Sequence, residues 1–173
     1  MNAHGGYLCR VENFDSIDLA VVAHEASLLD GGSGAGALEL SWFPKRKIAR
    51  LSLDTQARGG AGPGWFESHH ALAKLLSLRT GATVHAYLLD PEHGEQVAAY
   101  GAGRRVGGEQ VRYADVDVEL DELDDEAFEA LQSRWPLGHL AYVFGVSRAQ
   151  LLSLGTTPPA FVIALASARS DAA

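Results

Sequence analysis

A single cysteine, Cys9, excludes an intramolecular disulfide and any paired-thiol metal or redox site. A bridge-stapled secreted scaffold is therefore out, and a reducing cytoplasm is the simpler home. Positive charge is also scarce. Fourteen Lys and Arg stand against 22 Asp and Glu, a net charge of −8, which disfavours broad contact with nucleic acid or an anionic membrane and suits a basic partner. Long hydrophobic runs are missing too. Stretches such as Phe161-Val-Ile-Ala-Leu-Ala fall far short of the ~20 residues that cross a bilayer, so no membrane span is expected. Met1-Asn-Ala-His-Gly-Gly lacks the basic stretch and apolar core of a signal peptide, and export by that route is not expected.

Catalytic and cofactor signatures are equally thin. No Gly-x-x-x-x-Gly-Lys-Ser/Thr phosphate loop occurs. Gly101-Ala-Gly103-Arg-Arg-Val-Gly107 mimics a dinucleotide fingerprint, but Gly107-Gly108 and Val111-Arg-Tyr follow where a helix is required, so a β-turn with left-handed glycines is the better reading. The seven histidines do not converge: His69 and His70 would point about 100° apart on a helix, and none has a histidine partner four residues away. His85 and His93 read as polar tips of local structure. A hydrolytic set of Cys9, a histidine and an aspartate would have to be assembled from distant positions. Neither a cofactor nor a metal is expected.

What is present is a globular chain. Of its 173 residues 47% are apolar, enough for one domain that buries roughly 70% of its unfolded surface. Alternation predicts strands over 5–11, 38–43, 48–53, 84–89 and 96–100, and two more near 104–113 and 115–120. Helical periodicity covers 17–29, capped by Asp15 or Ser16, and about 65–79, closed by Gly81. The glycine-rich stretches 31–36 and 59–64 read as connections, and Pro44-Lys-Arg-Lys as a hairpin tip. The first 89 residues thus run β-α-β-β-α-β, a ferredoxin-like, split βαβ order. The expectation is an α+β fold: an antiparallel-rich sheet with two packing helices in residues 1–122, then a C-terminal helical segment in 123–173 packed on the same domain. Three helices are expected there, from Asp124 or Asp125 to about Arg134, from Pro136, and from Ser147. After Thr156-Thr-Pro-Pro, residues 160–168 could be strand or helix.

Residues 137–154, Leu-Gly-His-Leu-Ala-Tyr-Val-Phe-Gly-Val-Ser-Arg-Ala-Gln-Leu-Leu-Ser-Leu, resemble the core of a helix-turn-helix. Leu140, Ala141, Phe144, Val146, Leu151 and Leu154 take the apolar and small positions, Gly145 the left-handed turn, and Ser147 the cap of the second helix. The pattern serves DNA reading or any tight helical corner. As a DNA reader it offers Ser147, Arg148 and Gln150 to base edges, with no Asp or Glu from 130 to 170, but with few phosphate-binding cations and an acidic run upstream.

That acidic run is the second feature. Residues 115–126 hold eight carboxylates in twelve positions. Asp115, Asp117, Glu119 and Asp121 alternate with Val116, Val118 and Leu120, which as a strand would set the four carboxylates exposed in a row about 7 Å apart, with Val116, Val118 and Leu120 buried beneath. Such a row docks a basic surface, holds a divalent cation through Asp-x-Asp, or keeps an edge strand soluble. Lys45, Arg46, Lys47 and Arg50 form the opposite, basic cluster at the hairpin tip. The reading these features favour is a non-catalytic, acidic binding or inhibitor protein whose carboxylates dock a basic protein partner, as small bacterial immunity proteins do. A DNA-binding regulator built on 137–154 is the alternative, and a hydrolase with a dispersed site the second. The Ala, Gly, Leu and Arg usage is compatible with a GC-rich bacterial genome.

Overall fold

In the computed structural model, residues 4–13, 15, 17–29, 37–54, 70–154 and 161–164 are described. Among these residues there are seven strands, β1 (His4–Arg10), β2 (Ala37–Phe43), β3 (Ile48–Asp54), β4 (Val84–Asp90), β5 (Gly94–Gly101), β6 (Arg104–Arg112) and β7 (Phe161–Ala164). They form one sheet in the order β6-β5-β4-β1-β3-β2-β7, and every neighbouring pair is antiparallel. Among the described residues five α-helices accompany it: α1 (Leu19–Leu29), α2 (His70–Thr80), α3 (Asp125–Gln132), α4 (Pro136–Val143) and α5 (Arg148–Leu154). The α+β expectation holds. At seven strands the sheet exceeds the four-stranded ferredoxin-like sandwich that the element order suggested, so that description does not cover the whole sheet.

Alternation along the inner strands explains why both faces are covered. On one face Tyr7, Cys9, Leu38, Leu40, Leu51, Val84, Ala86, Leu88, Ala98 and Tyr100 pack with Val22 and Ala26 of α1 and Leu72, Ala73 and Leu76 of α2. On the other, Leu8, Ile48, Tyr87, Leu89 and Val97 pack with Leu137, Leu140, Ala141 and Phe144 of α4 and its exit, and with Leu151 of α5. Neighbours in a strand thus serve opposite cores: Leu8 faces α4 while Tyr7 and Cys9 face α1 and α2. With its C-terminal helices on the second face, the sheet is the middle of three layers.

Several local expectations need correction. The first helix begins two residues later than its periodicity suggested, and its cap is Asp18, whose Oδ1 accepts the Val21 N–H at 3.2 Å; Ser16 lies outside the described residues. Arg50 is not part of the exposed hairpin tip. It lies within β3, 6% exposed, and its Nε donates to the Tyr87 hydroxyl at 3.0 Å. A left-handed hairpin turn joins β5 to β6, as preferred over a nucleotide loop, but its left-handed residues are Ala102 (φ 50°) and Gly103 (φ 78°), so only one of them is a glycine. Phe161–Ala164 is a strand, resolving that part of an open assignment; residues 165–168, the connections 31–36 and 59–64 and the break at 156–159 lie outside the described residues.

The largest correction falls on 115–120, which is not a strand. After β6 ends opposite Gly94, Tyr113 N–H still reaches the His93 carbonyl at 3.0 Å, and then β5 offers no further residue to pair with. The backbone satisfies itself locally instead, in 3-10 turns at Tyr113–Asp115 and Leu120–Glu122, with Val116 N–H on the Tyr113 carbonyl at 3.2 Å and Leu123 N–H on the Leu120 carbonyl at 3.3 Å. A row of like charges gains nothing from being straightened, and here nothing straightens it.

The helical corner matches its expectation. Gly145 has φ +68°, and its N–H closes on the Tyr142 carbonyl at 3.0 Å. Ser147 caps α5: its Oγ accepts the Gln150 N–H at 3.1 Å, while Gln150 Oε1 accepts the Ser147 N–H at 2.9 Å. This reciprocal pair is a capping box with glutamine in the acceptor role. Asp124 caps α3 by accepting the Ala127 N–H at 2.8 Å. The turn from α3 into α4 is tight because Gly138 has no Cβ; one there would collide with the Gln132 and Ser133 carbonyls.

Candidate docking face

Charge at both ends pins α4 to the sheet. At its N-terminus the Leu137 N–H donates to Glu95 Oε2 at 3.0 Å, from a β5 side chain that is completely buried. At its C-terminus Arg10 of β1 donates to the Phe144 carbonyl at 3.1 Å and stands over the Phe144 ring, 5.6 Å from its centroid. A carboxylate at the positive end of a helix and a guanidinium at the negative end both match the helix dipole. Glu95 is shared with α5: Arg148 Nη2 donates to its Oε1. Burial, together with the charge of Glu95 nearby, pushes the pKa of Tyr113 up to about 12.

This geometry reassigns the residues proposed for reading DNA. Arg148, expected at an exposed recognition surface, has a side chain only 16% exposed and is committed to Glu95. Its Nε is buried without a hydrogen-bond partner. Ser147 and Gln150 are exposed, but their polar groups face each other across the cap. All three side chains are thus engaged within the fold. Sequence spacing finds the corner and misses Glu95, because the partner of Arg148 lies 53 residues away. A polar residue at an inward strand position, between the core residues Leu89 and Val97, was the available signal.

The acidic segment wraps past the same corner. Asp115, Asp117, Glu119 and Asp121 are all exposed, as expected, together with Glu122, Asp124, Asp125, Glu126 and Glu129. The residues between them do not form the expected buried stripe: Val116 and Leu120 are half-buried and Val118 is 45% exposed. Aromatic stacking anchors the segment at its two ends. Tyr113 lies against Trp135 with ring centroids 5.0 Å apart, and Phe128 meets Trp135 edge-on at 6.2 Å. Trp135, 6% exposed, is the common anchor, and sequence patterning gave it no special role.

Two hollows open around α3. One, of about 960 Å³, lies between α3, α4 and α5 and is lined by Phe128, Tyr142, Val146 and Leu152 with Asp125 and Glu129 at its edge. The other, of about 550 Å³, runs under the acidic turns between Tyr113, Leu120, Leu123 and Trp135. Arg148 borders both. None of the eight residues of α3 is buried, although the helix is amphipathic. Tyr142 stands 87% exposed beside the larger hollow.

The other candidate groups are dispersed. Cys9 is fully buried under α1 and α2, and burial pushes its thiol up to about 12, opposite to what a nucleophile needs. His70 and the Tyr100 hydroxyl are hydrogen-bonded on that same side of the sheet. His85 meets Phe144 edge-on at 5.5 Å, His93 pairs with Asp90 at 2.9 Å, and His139 pairs with Glu109 at 2.9 Å. Among the described residues, no three metal-ligating side chains come together, and no helix is long and apolar enough to cross a membrane. No protein-family model matches the chain, and no curated protein and no solved structure matches it.

Proposed function

We propose that residues 115–129, with the hollow beside α3, form a docking face for a basic protein partner, and that the chain works as a non-catalytic binding or inhibitor protein of the immunity type. One observation carries this reading. Nine exposed carboxylates fall between Asp115 and Glu129, and none takes part in an ion pair among the described residues. Among the described residues, only Asp124 of these has internal work, as a helix cap. Such a concentration repels itself in the free protein, and a cationic surface relieves that repulsion while steering the encounter. The position supports the same reading, because the carboxylates lie beside exposed apolar surface that a partner can cover. A buried, unreactive thiol suits a reducing cytoplasm and gives a hydrolytic role no nucleophile from Cys9. The nucleic-acid alternative gains nothing from the corner, whose three polar side chains are engaged internally.

The test separates a site from mere net charge. An oligolysine peptide is titrated against the wild type, against an Asp117→Asn, Glu119→Gln variant, and against a variant neutralised elsewhere at Asp15→Asn and Glu92→Gln. The docking face predicts weaker binding and a flatter salt dependence for the first variant, with the second close to wild type. Equal losses in both would reduce the acidic face to bulk charge and remove the proposal.

A further inference from the structure

The hollow between α3, α4 and α5 carries information about the shape of its occupant as well as its charge. Its apolar wall is made by Phe128 of α3, Tyr142 of α4, and Val146 and Leu152 at the turn and on α5, while Asp125 and Glu129 edge the α3 side. Asp125, Phe128 and Glu129 are three and four residues apart, so they share the face of α3 that borders the hollow. The apolar side chains that α4 and α5 bury fully against the sheet are Leu137, Leu140, Ala141 and Leu151, while Val146 and Leu152 are half-buried, packed against that core and lining the hollow as well. Tyr142 and Val143 are turned away from that core, 87% and 55% exposed. The corner therefore has a second apolar side, uncovered among the described residues.

We propose that this groove receives a basic amphipathic α-helix of the partner, its apolar stripe on Phe128, Tyr142, Val146 and Leu152 and its Lys and Arg on Asp125, Glu129 and the carboxylates before them. The inference rests on the docking reading and adds the conformation of the ligand. Three helices build the walls, and the interior of a helix has no free N–H or C=O with which to pair an extended chain. An inserted strand would leave its own backbone unpaired, whereas a helix arrives with its hydrogen bonds closed and packs by side chains alone. Carboxylates on the α3 side select a cationic helix over an anionic one. Arg148 does not oppose this, since its charge is committed to Glu95.

The experiment uses two labelled peptides of about 16 residues with identical Leu and Lys composition. One has leucines at i, i+3, i+4 and i+7, and in the other the order is scrambled to remove the apolar face. Binding is measured by fluorescence anisotropy, and peptide helicity by circular dichroism, with the intact chain. The expected result is at least about tenfold tighter binding of the amphipathic peptide, with a gain in its helicity. Tyr142→Ala and Ala149→Arg, both at exposed positions bordering the groove, should each abolish that preference while leaving the denaturation midpoint in place. Equal binding of both peptides, lost on neutralising Asp117 and Glu119, would overturn the helix inference and leave the docking face standing. Binding of neither would overturn both. A preference that survives both groove variants would place the helix elsewhere and also overturn the inference.

Discussion

The buried pair of Glu95 and Arg148 ties α5, α4 and β5 together, so its removal tests the layered arrangement directly. Arg148→Met leaves the Glu95 carboxylate with no side-chain exposure and no counter-charge. Stranding one member of a buried pair costs about 3–5 kcal/mol. Glu95→Leu strands the guanidinium, which is 16% exposed and can move part of the way to solvent, but it also orphans the Leu137 N–H at the start of α4. That donor alone costs about 1–3 kcal/mol. The double variant Glu95→Leu, Arg148→Met removes both charges and retains only the donor penalty. It should therefore be more stable than Arg148→Met alone, by about 1–3 kcal/mol, a coupling that distant sites do not show. Urea denaturation of the four proteins measures this, with slopes expected to stay constant. Arg148→Met should also lower Tm by on the order of 10 °C. If it lies within about 0.5 kcal/mol of wild type, or if the two single losses simply add, the pair does not hold the helices to the sheet and the reassignment of Arg148 fails.

Three further outcomes follow from single positions. Gly145→Val should lose more than about 1 kcal/mol through backbone strain alone, since φ is +68° and the space a Cβ would enter is open; an unchanged denaturation midpoint would contradict the left-handed turn. Cys9 should resist a thiol reagent at pH 8 in the folded protein and react at once in denaturant, because its thiol is buried and shifted to about 12; rapid native labelling would refute that burial. Burial lowers the pKa of His85, so the unfolded chain binds more protons than the folded one just below the ordinary value of 6.5. Stability should fall as pH drops from about 6.5 toward the lowered value and then level off, and His85→Gln should remove that part of the slope; a wild-type slope in the variant would refute the assignment.

Local signals were legible where the chemistry that sets them is local. The Gly145 turn, the Ser147 cap and the hairpin at 44–47 each need only the residues within a few positions, and the sequence placed them correctly; it narrowed the next cap to Asp124 or Asp125, and it marked the turn after β5 without foreseeing a left-handed Ala102. Alternation likewise marked the strands, and exposure of the carboxylates followed from their charge alone. Pairing is another matter. The pattern at 115–120 is a strand pattern, but a strand needs a neighbour, and whether β5 continues far enough to supply one is decided by the registry of β5 with β6.

Tertiary structure decided which side of the sheet the C-terminal helices cover, and with it the role of Arg148. Read along the chain, Arg148 is a cation on a short helix, free to meet a phosphate. In the folded molecule β5 presents a buried carboxylate to it from 53 residues away, and the cost of leaving that carboxylate unpaired commits the guanidinium. The same layering turns Tyr142 outward beside the acidic segment and makes one face of two features that the sequence shows only as neighbours. Composition determined that this protein is acidic and where its carboxylates concentrate. The packing of α4 and α5 on the sheet determined what surface lies beside them, because a helix can bury only one side against a single layer.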